Sequence, residues 1–167
     1  HKLETAGGPN AYEGAKALAN GEVTRAHYAR YLVQIGKVSN DGQAFKRYLG
    51  SGKSCFVKAE WVDIPTAIDT IHAAGGVTVI AHPMRYNMTG KWIRRLIVDF
   101  KQWGGDGMEV ADSGQTKDQR QYLARLANEY DLAASLGSDF HFPCGWIELG
   151  KNLFLPEEVK PIWTLFE

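Results

Sequence analysis

The chain has 167 residues, 44% hydrophobic and 23% charged, with 19 basic side chains balancing 19 acidic ones. That composition excludes a disordered tail, a collagen-like repeat and a low-complexity linker, and a chain of this length buries about 68–70% of its unfolded surface in one core. No apolar run approaches the roughly 20 residues of a membrane span, nothing reads as a signal peptide, and with no excess charge any polyanion contact must come from a local cluster of Arg, Lys and His.

The stretch PNAYEGAKALANG, Pro9 to Gly21, carries a turn, Ala-rich helix formers and a closing Gly, which predicts a short helix. Thr24 is placed to cap a second, RAHYARYLVQIG, in which Tyr28, Leu32 and Ile35 recur at helical spacing before Gly36. A third helix is expected over Gly42 to Leu49, then a loop from Gly50 to Trp61 with a short extended piece at Ser54 to Val57. The first third of the chain therefore reads as all-helical.

After Pro65 the pattern changes. TAIDTIHAAGG is an amphipathic helix closed by Gly, and VTVIAHP is a continuous β-branched run ended by Pro83. The alternation repeats as KWIRRLIVDFKQW then GMEVAD, and as DQRQYLARLANEY then LAASLGSDFH. Such units predict an α/β fold with a parallel sheet or barrel. WIELGKNLFLP adds an expected strand and EVKPIWTLFE a docking C-terminal helix. The division expected is 1–61 and 62–167. Three strands leave exposed edges and half a core, so the fold is expected to be incomplete by itself, and a start at His1 without Met points to a piece of something longer.

Two strand ends carry metal-competent side chains: His82 after VTVIA, and Asp139 with His141 in GSDFH. Functional groups gather at that end of parallel α/β folds. Asp139 and His141, two apart, would project to one side of an extended chain, and imidazole with carboxylate suits zinc, manganese or iron. In TRAHYAR, Arg25 and His27 start a helix whose free N–H groups favour an anion such as phosphate, although a solvated helix start reads equally well. Arg85 and Lys53 could add charge-assisted contacts, but their plainer reading is solvated surface. Glu109 and Asp112 read either as partners orienting a ligand histidine or as an ordinary strand end. His72 reads as a packing or capping residue, and Trp61, Trp92, Trp103, Trp146 and Trp163 fall at core-like spacing. With only Cys55 and Cys144, and no CxxC pair, a reducing cytoplasm is the simpler setting.

AIDTIHAAGGVTVIAHP and GSDFH resemble the polymerase and histidinol phosphatase (PHP) family of metal-dependent phosphoesterases. VTRAHYARYLVQIG and AFKRYLGSGKSCFV resemble the helical insert of its bacterial branch of nucleoside 3′,5′-bisphosphate phosphatases, also linked to 5′ to 3′ exoribonuclease trimming. The resemblance implies the C-terminal portion of a distorted (βα)7 barrel with an all-helical insert subdomain. It implies two or three divalent ions in the complete site, manganese first, with zinc or iron as alternatives. It makes His82, Asp139 and His141 metal ligands, and Arg25, His27, Thr24 and Arg85 phosphate contacts. Substrate choice would lie largely in the insert.

The family's earlier motifs, an HxH pair with an Asp, a DH pair, a Glu and a further His, do not occur here. A full barrel takes about 250 residues. The expected activity, hydrolysis of 3′,5′-bisphosphonucleotides or trimming of short RNA from the 5′ end in the cytoplasm, is thus assigned to the full-length protein, with clustered metals activating water for in-line attack. A missing N-terminal barrel half is the expected partner, no membrane is involved, and the chain alone is expected to be inactive and to self-associate over its open edges. Two alternatives stay open: a non-catalytic binding or assembly module, and a single-zinc hydrolase using His82, Asp139 and His141 with water.

Overall fold

Local signals decide where the first helices begin. In the computed structural model, which describes residues 10–141 and 147–166, α1 spans Ala11–Lys16, α2 Arg25–Gln34 and α3 Asp41–Ala44, the last running on into a π-helical turn at Phe45–Leu49. The Asn40 side chain caps α3 by accepting from the Gln43 N–H at 2.9 Å. Gly14 lets α1 approach α2, since a Cβ there would sit 2.0 Å from the Tyr31 ring. Ala29, Leu32, Val38, Ala44, Leu49 and Cys55 form a small buried core. The extended piece expected at Ser54 to Val57 is not a strand: the Cys55 N–H donates to the Tyr48 carbonyl at 3.0 Å, which ties the loop back to the π turn. Cys55 is buried, and Cys144 lies outside the described residues.

The chain divides into two compact units, His1–Trp61 and Val62–Glu167. In the second, α4 (Ile64–Ala73), β1 (Val79–Ile80), α5 (Gly90–Gln102), β2 (Gly107–Asp112), α6 (Lys117–Glu129) and β3 (Ala133–Gly137) alternate as the sequence predicts, with 3-10 turns at Pro83–Arg85 and Ile162–Leu165. Asp63 caps α4 by accepting from Thr66 N–H at 2.8 Å. Thr116 and Gln119 cap α6 reciprocally, each side chain accepting the other's backbone N–H. The sheet is parallel in the order β1-β2-β3, in register Val79↔Gly107 and Met108↔Ala134, with an irregularity between Glu109 and Ala111. All six residues of the central β2 are buried. Ile68, Ile97, Met108, Val110, Leu123 and Leu126 fill the core between sheet and helices, and every strand directs its C-terminal end to the same edge.

Four expectations are corrected. The VTVIAHP run pairs over only two residues before Pro83 ends it. WIELGKNLFLP forms no strand among the described residues, its backbone instead turning at Glu148 to Asn152. EVKPIWTLFE gives a 3-10 turn rather than a helix, because Pro161 removes a donor; the Ala134 N–H donates to the Lys160 carbonyl at 2.7 Å, so this segment covers the outer edge of β3. The tryptophans are not core: Trp61 is 86%, Trp92 63%, Trp103 39% and Trp163 50% exposed, while Trp146 lies outside the described residues. Trp92 falls on the solvent-facing side of α5, where periodicity alone does not separate an amphipathic edge from a core stripe.

Candidate functional site

The groups of interest gather where the three strands end. His82 follows β1 in a left-handed conformation, φ 34° and ψ 56°. Such a conformation is uncommon for a residue other than glycine and needs support. Glu109 of the central strand gives it, accepting the His82 backbone N–H at 2.5 Å. Glu109 lies across the end of β3 because residue 137 is glycine: a Cβ there would sit 2.6 Å from Glu109 Oε1. The His82 ring meets Tyr86 edge-on, centroids 5.9 Å apart, and its Nδ1 is buried with no hydrogen-bond partner among the described residues.

Asp112 ends β2, its Oδ1 accepting from the Gly114 N–H at 2.7 Å and lying 3.5 Å from Arg85 Nη2. Arg85 Nη1 donates to Asp139 Oδ2. The extended geometry expected after β3 is not found, since Asp139 is left-handed with φ 54°. The two side chains still converge: His141 Nδ1 donates to the Asp139 carbonyl at 2.8 Å and lies 3.7 Å from its carboxylate. Holding Nδ1–H on a carbonyl turns the Nε2 lone pair of His141 outward, the tautomer that metal-binding histidines adopt.

Of the three carboxylates gathered here, Glu109, Asp112 and Asp139, the last two pair with the guanidinium of Arg85, and Glu109 is held by the His82 N–H. Glu109 and Asp112 are almost fully buried. Burial pushes the Glu109 carboxyl above its usual range, the His82 N–H pulls against that, and the charges of Asp112 and Asp139 add to the rise. Burial and the Glu109 charge also raise Tyr86. Among the described residues no three His, Cys, Asp or Glu side chains converge as a ready ligand set. The donors nevertheless suit a divalent cation: an orphaned buried imidazole nitrogen, a second imidazole with a free nitrogen, and carboxylates in excess of their counter-charge.

The other candidates lie apart in role. At the start of α2, His27 Nδ1 accepts from the Thr24 backbone N–H at 3.0 Å and lies 3.0 Å from Thr24 Oγ1, so both residues first serve the helix cap. Arg25 beside them is exposed. His72 behaves as the structural residue expected, its Nε2 2.8 Å from Asp106 Oδ2. Glu109 was legible only as a strand-end alternative; the stronger signal is an acid inside the otherwise apolar run of a central strand, a position that carboxylates seldom occupy without a task.

No protein-family model matches the chain. It is 81% identical over 165 residues to a 5′-3′ exoribonuclease of Haemophilus influenzae, covering 99% of this chain and 60% of that protein. It is 39% identical over 168 residues to a 3′,5′-nucleoside bisphosphate phosphatase of Chromobacterium violaceum, covering 99% of this chain and 59% of that protein. Among solved structures it superposes on an amidohydrolase from Chromobacterium violaceum with bound sulfate and no metal, with a TM-score of 0.83, 39% identity and coverage of 98% of this chain and 57% of that one. A metal-dependent phosphoesterase from Bifidobacterium adolescentis follows with a TM-score of 0.70, 28% identity and coverage of 92% and 56%. The chain therefore spans about three fifths of the length of the curated relatives it matches, their C-terminal part. These names agree with the PHP resemblance read from AHP and GSDFH.

Proposed function

We propose that the C-terminal edge of the β1-β2-β3 sheet belongs to a divalent-metal phosphoesterase centre, and that the full-length protein, in the cytoplasm, hydrolyses 3′,5′-bisphosphonucleotides or trims short RNA from its 5′ end. One observation carries this reading: the buried Nδ1 of His82, without a hydrogen-bond partner among the described residues, beside Glu109 and the Asp112 and Asp139 carboxylates that share Arg85. The names of the relatives support the reaction class.

His82, Asp139 and His141 are the proposed ligands in this chain, within a PHP barrel whose remaining ligands come from an N-terminal half, for two or three ions of manganese, or else zinc or iron. Divalent ions there supply Lewis acidity toward a phosphoryl oxygen and activate water as the nucleophile. Glu109 holds the His82 backbone in place, so the imidazole is presented without further ordering. The Asp139 carbonyl fixes the His141 tautomer. Arg85, already oriented by Asp112 and Asp139, offers its remaining N–H groups to a phosphate and offsets charge that develops on it. At the start of α2 we assign Arg25, His27 and Thr24 as phosphate contacts; with Nδ1 taken by the cap, neutral His27 keeps Nε2–H as its donor. Bound sulfate in one structural relative supports an oxyanion as guest.

The test is metal content per chain together with phosphate release from a 3′,5′-bisphosphonucleotide in manganese, on this chain and on the full-length gene product. Retained metal and turnover in the longer protein alone are expected. Turnover by the 167-residue chain would instead support the single-zinc alternative. A second reading, that the chain alone is an assembly module, is favoured by β1, whose outer edge has no strand partner among the described residues. It predicts self-association of the isolated chain, and a monomer in light scattering with native-like melting would refute it.

A further inference from the structure

Arg120, in the first turn of α6, is only 5% exposed and makes no ion pair among the described residues. Its Nη2 donates to the carbonyls of Asp112 at 3.3 Å and Asn152 at 3.1 Å, its Nε has no partner among the described residues, and its guanidinium lies 3.9 Å from the Phe154 ring centroid. A buried cation without a carboxylate is costly to keep. Phe154 covers one face of it yet remains 60% exposed. The pair borders a cavity of about 750 Å³, lined also by Ser113, Lys117, Glu157 and Glu158. That volume suits one nucleotide.

The cavity adjoins the carboxylate cluster through the chain itself. Ser113 follows Asp112, and its Oγ donates at 3.1 Å to the carbonyl of Ser138, the neighbour of Asp139. A buried guanidinium with no ion pair among the described residues, an exposed aromatic face stacked on it, and this continuity together describe a subsite for a polymer leaving the cluster.

We infer that this cavity receives the nucleotide next to the scissile phosphate of an RNA substrate, with Arg120 and Phe154 forming the platform on which its base stacks. Lys117 and Ser113 face the connecting phosphate. Glu157 and Glu158 repel phosphate and accept from ribose hydroxyl or base amino groups, so they turn the sugar and base toward Phe154; Glu158 already accepts from Gln121 Nε2 at 2.7 Å. A mononucleotide substrate fills the cluster alone and leaves the platform empty. The inference rests on the phosphoesterase reading above, and it places discrimination between RNA ends and mononucleotides at Phe154, outside the helical insert.

The test uses the full-length protein as wild type, Phe154→Ala and Phe154→Trp. Binding of a 3′-fluorescein, 5′-phosphorylated pentaribonucleotide is read by anisotropy in chelator, and hydrolysis of that oligonucleotide and of a 3′,5′-bisphosphonucleotide is read in manganese. Phe154→Ala is expected to weaken oligonucleotide binding about tenfold and raise its KM in parallel. Phe154→Trp restores both, and KM for the bisphosphonucleotide stays unchanged throughout. An equal loss on both substrates, or no loss on the oligonucleotide, overturns the platform. If wild type hydrolyses neither compound, the phosphoesterase reading fails, and the anisotropy comparison still decides the platform because it needs no turnover.

Discussion

The two ends of the parallel sheet use the same residue types to opposite purposes. At the end where β2 begins, Asp106 Oδ2 accepts from His72 Nε2 at 2.8 Å, Thr78 N–H at 2.7 Å and Thr78 Oγ1 at 2.8 Å. Three donors meet on that one oxygen, and they tie α4 and the approach to β1 onto β2. Where the strands finish, Asp112 and Asp139 share Arg85 and the His82 Nδ1 has no partner among the described residues. An acid whose oxygen is held by three fixed donors is a structural link, whereas an unsatisfied buried group beside a carboxylate cluster holds capacity for a ligand at the expense of stability.

The comparison breaks most sharply through His82. Replacing it by Ala in the full-length protein should lower metal retention and phosphate release by at least about a hundredfold, with little change in Tm, because the ring Nδ1 makes no hydrogen bond among the described residues whose loss would matter. A large fall in Tm with metal retained would make His82 a packing residue. The mirror experiment is Asp106→Ala. Removing three hydrogen bonds to a charged acceptor that is 23% exposed should cost about 2 kcal/mol in urea unfolding while turnover of the folded enzyme stays unchanged. Loss of activity at full stability would erase the distinction between the two ends.

Gly137 sharpens it. A Cβ there would press on Glu109 Oε1 at 2.6 Å, and that carboxylate cannot swing away without releasing the His82 N–H. Gly137→Ala is therefore expected to cost about 1 kcal/mol by overpacking and to loosen metal binding. Gly137→Ala combined with Glu109→Ala should regain the stability without regaining the metal; if the double variant binds metal normally, Glu109 does not position His82.

How much of this could be read in the sequence follows from the range of each signal. Alternating helix and strand patterns after Pro65 gave the α/β order and the parallel sheet, because amphipathic period and β-branched runs are local. The placing of His82, Asp139 and His141 at strand ends was legible for the same reason. Left-handed backbone at His82 and Asp139 was not, since neither residue type demands it and the support comes from Glu109 and Arg85, which lie 27 and 54 residues away from them. Nor were the fates of WIELGKNLFLP and the tryptophans. Apolar content announces burial only when a partner surface exists, and here Arg120 holds the Asn152 carbonyl in a turn instead.

The smallest effect separates the two ends by pH alone. Burial pushes the Asp106 carboxyl up, but the hydrogen bonds from His72 and from both Thr78 donors outweigh it and hold the carboxyl below its usual range. A depressed carboxyl stabilises the fold above its unfolded value of about 3.9, and that stabilisation drains away as pH falls through the lower, folded value. Asp106→Asn removes the titration while keeping an oxygen acceptor for Thr78. The gap in Tm between wild type and this variant should therefore narrow, by a few degrees at most, as pH falls from about 5 through the range in which acid protonates the wild-type carboxyl. The measurement is a pair of thermal melts across that range in chelator, so that no metal at the opposite end contributes. A gap that widens toward acid would mean that the neutral carboxyl is the better partner for His72 and Thr78, and this end of the sheet would then owe its stability to something other than the ionised form of Asp106.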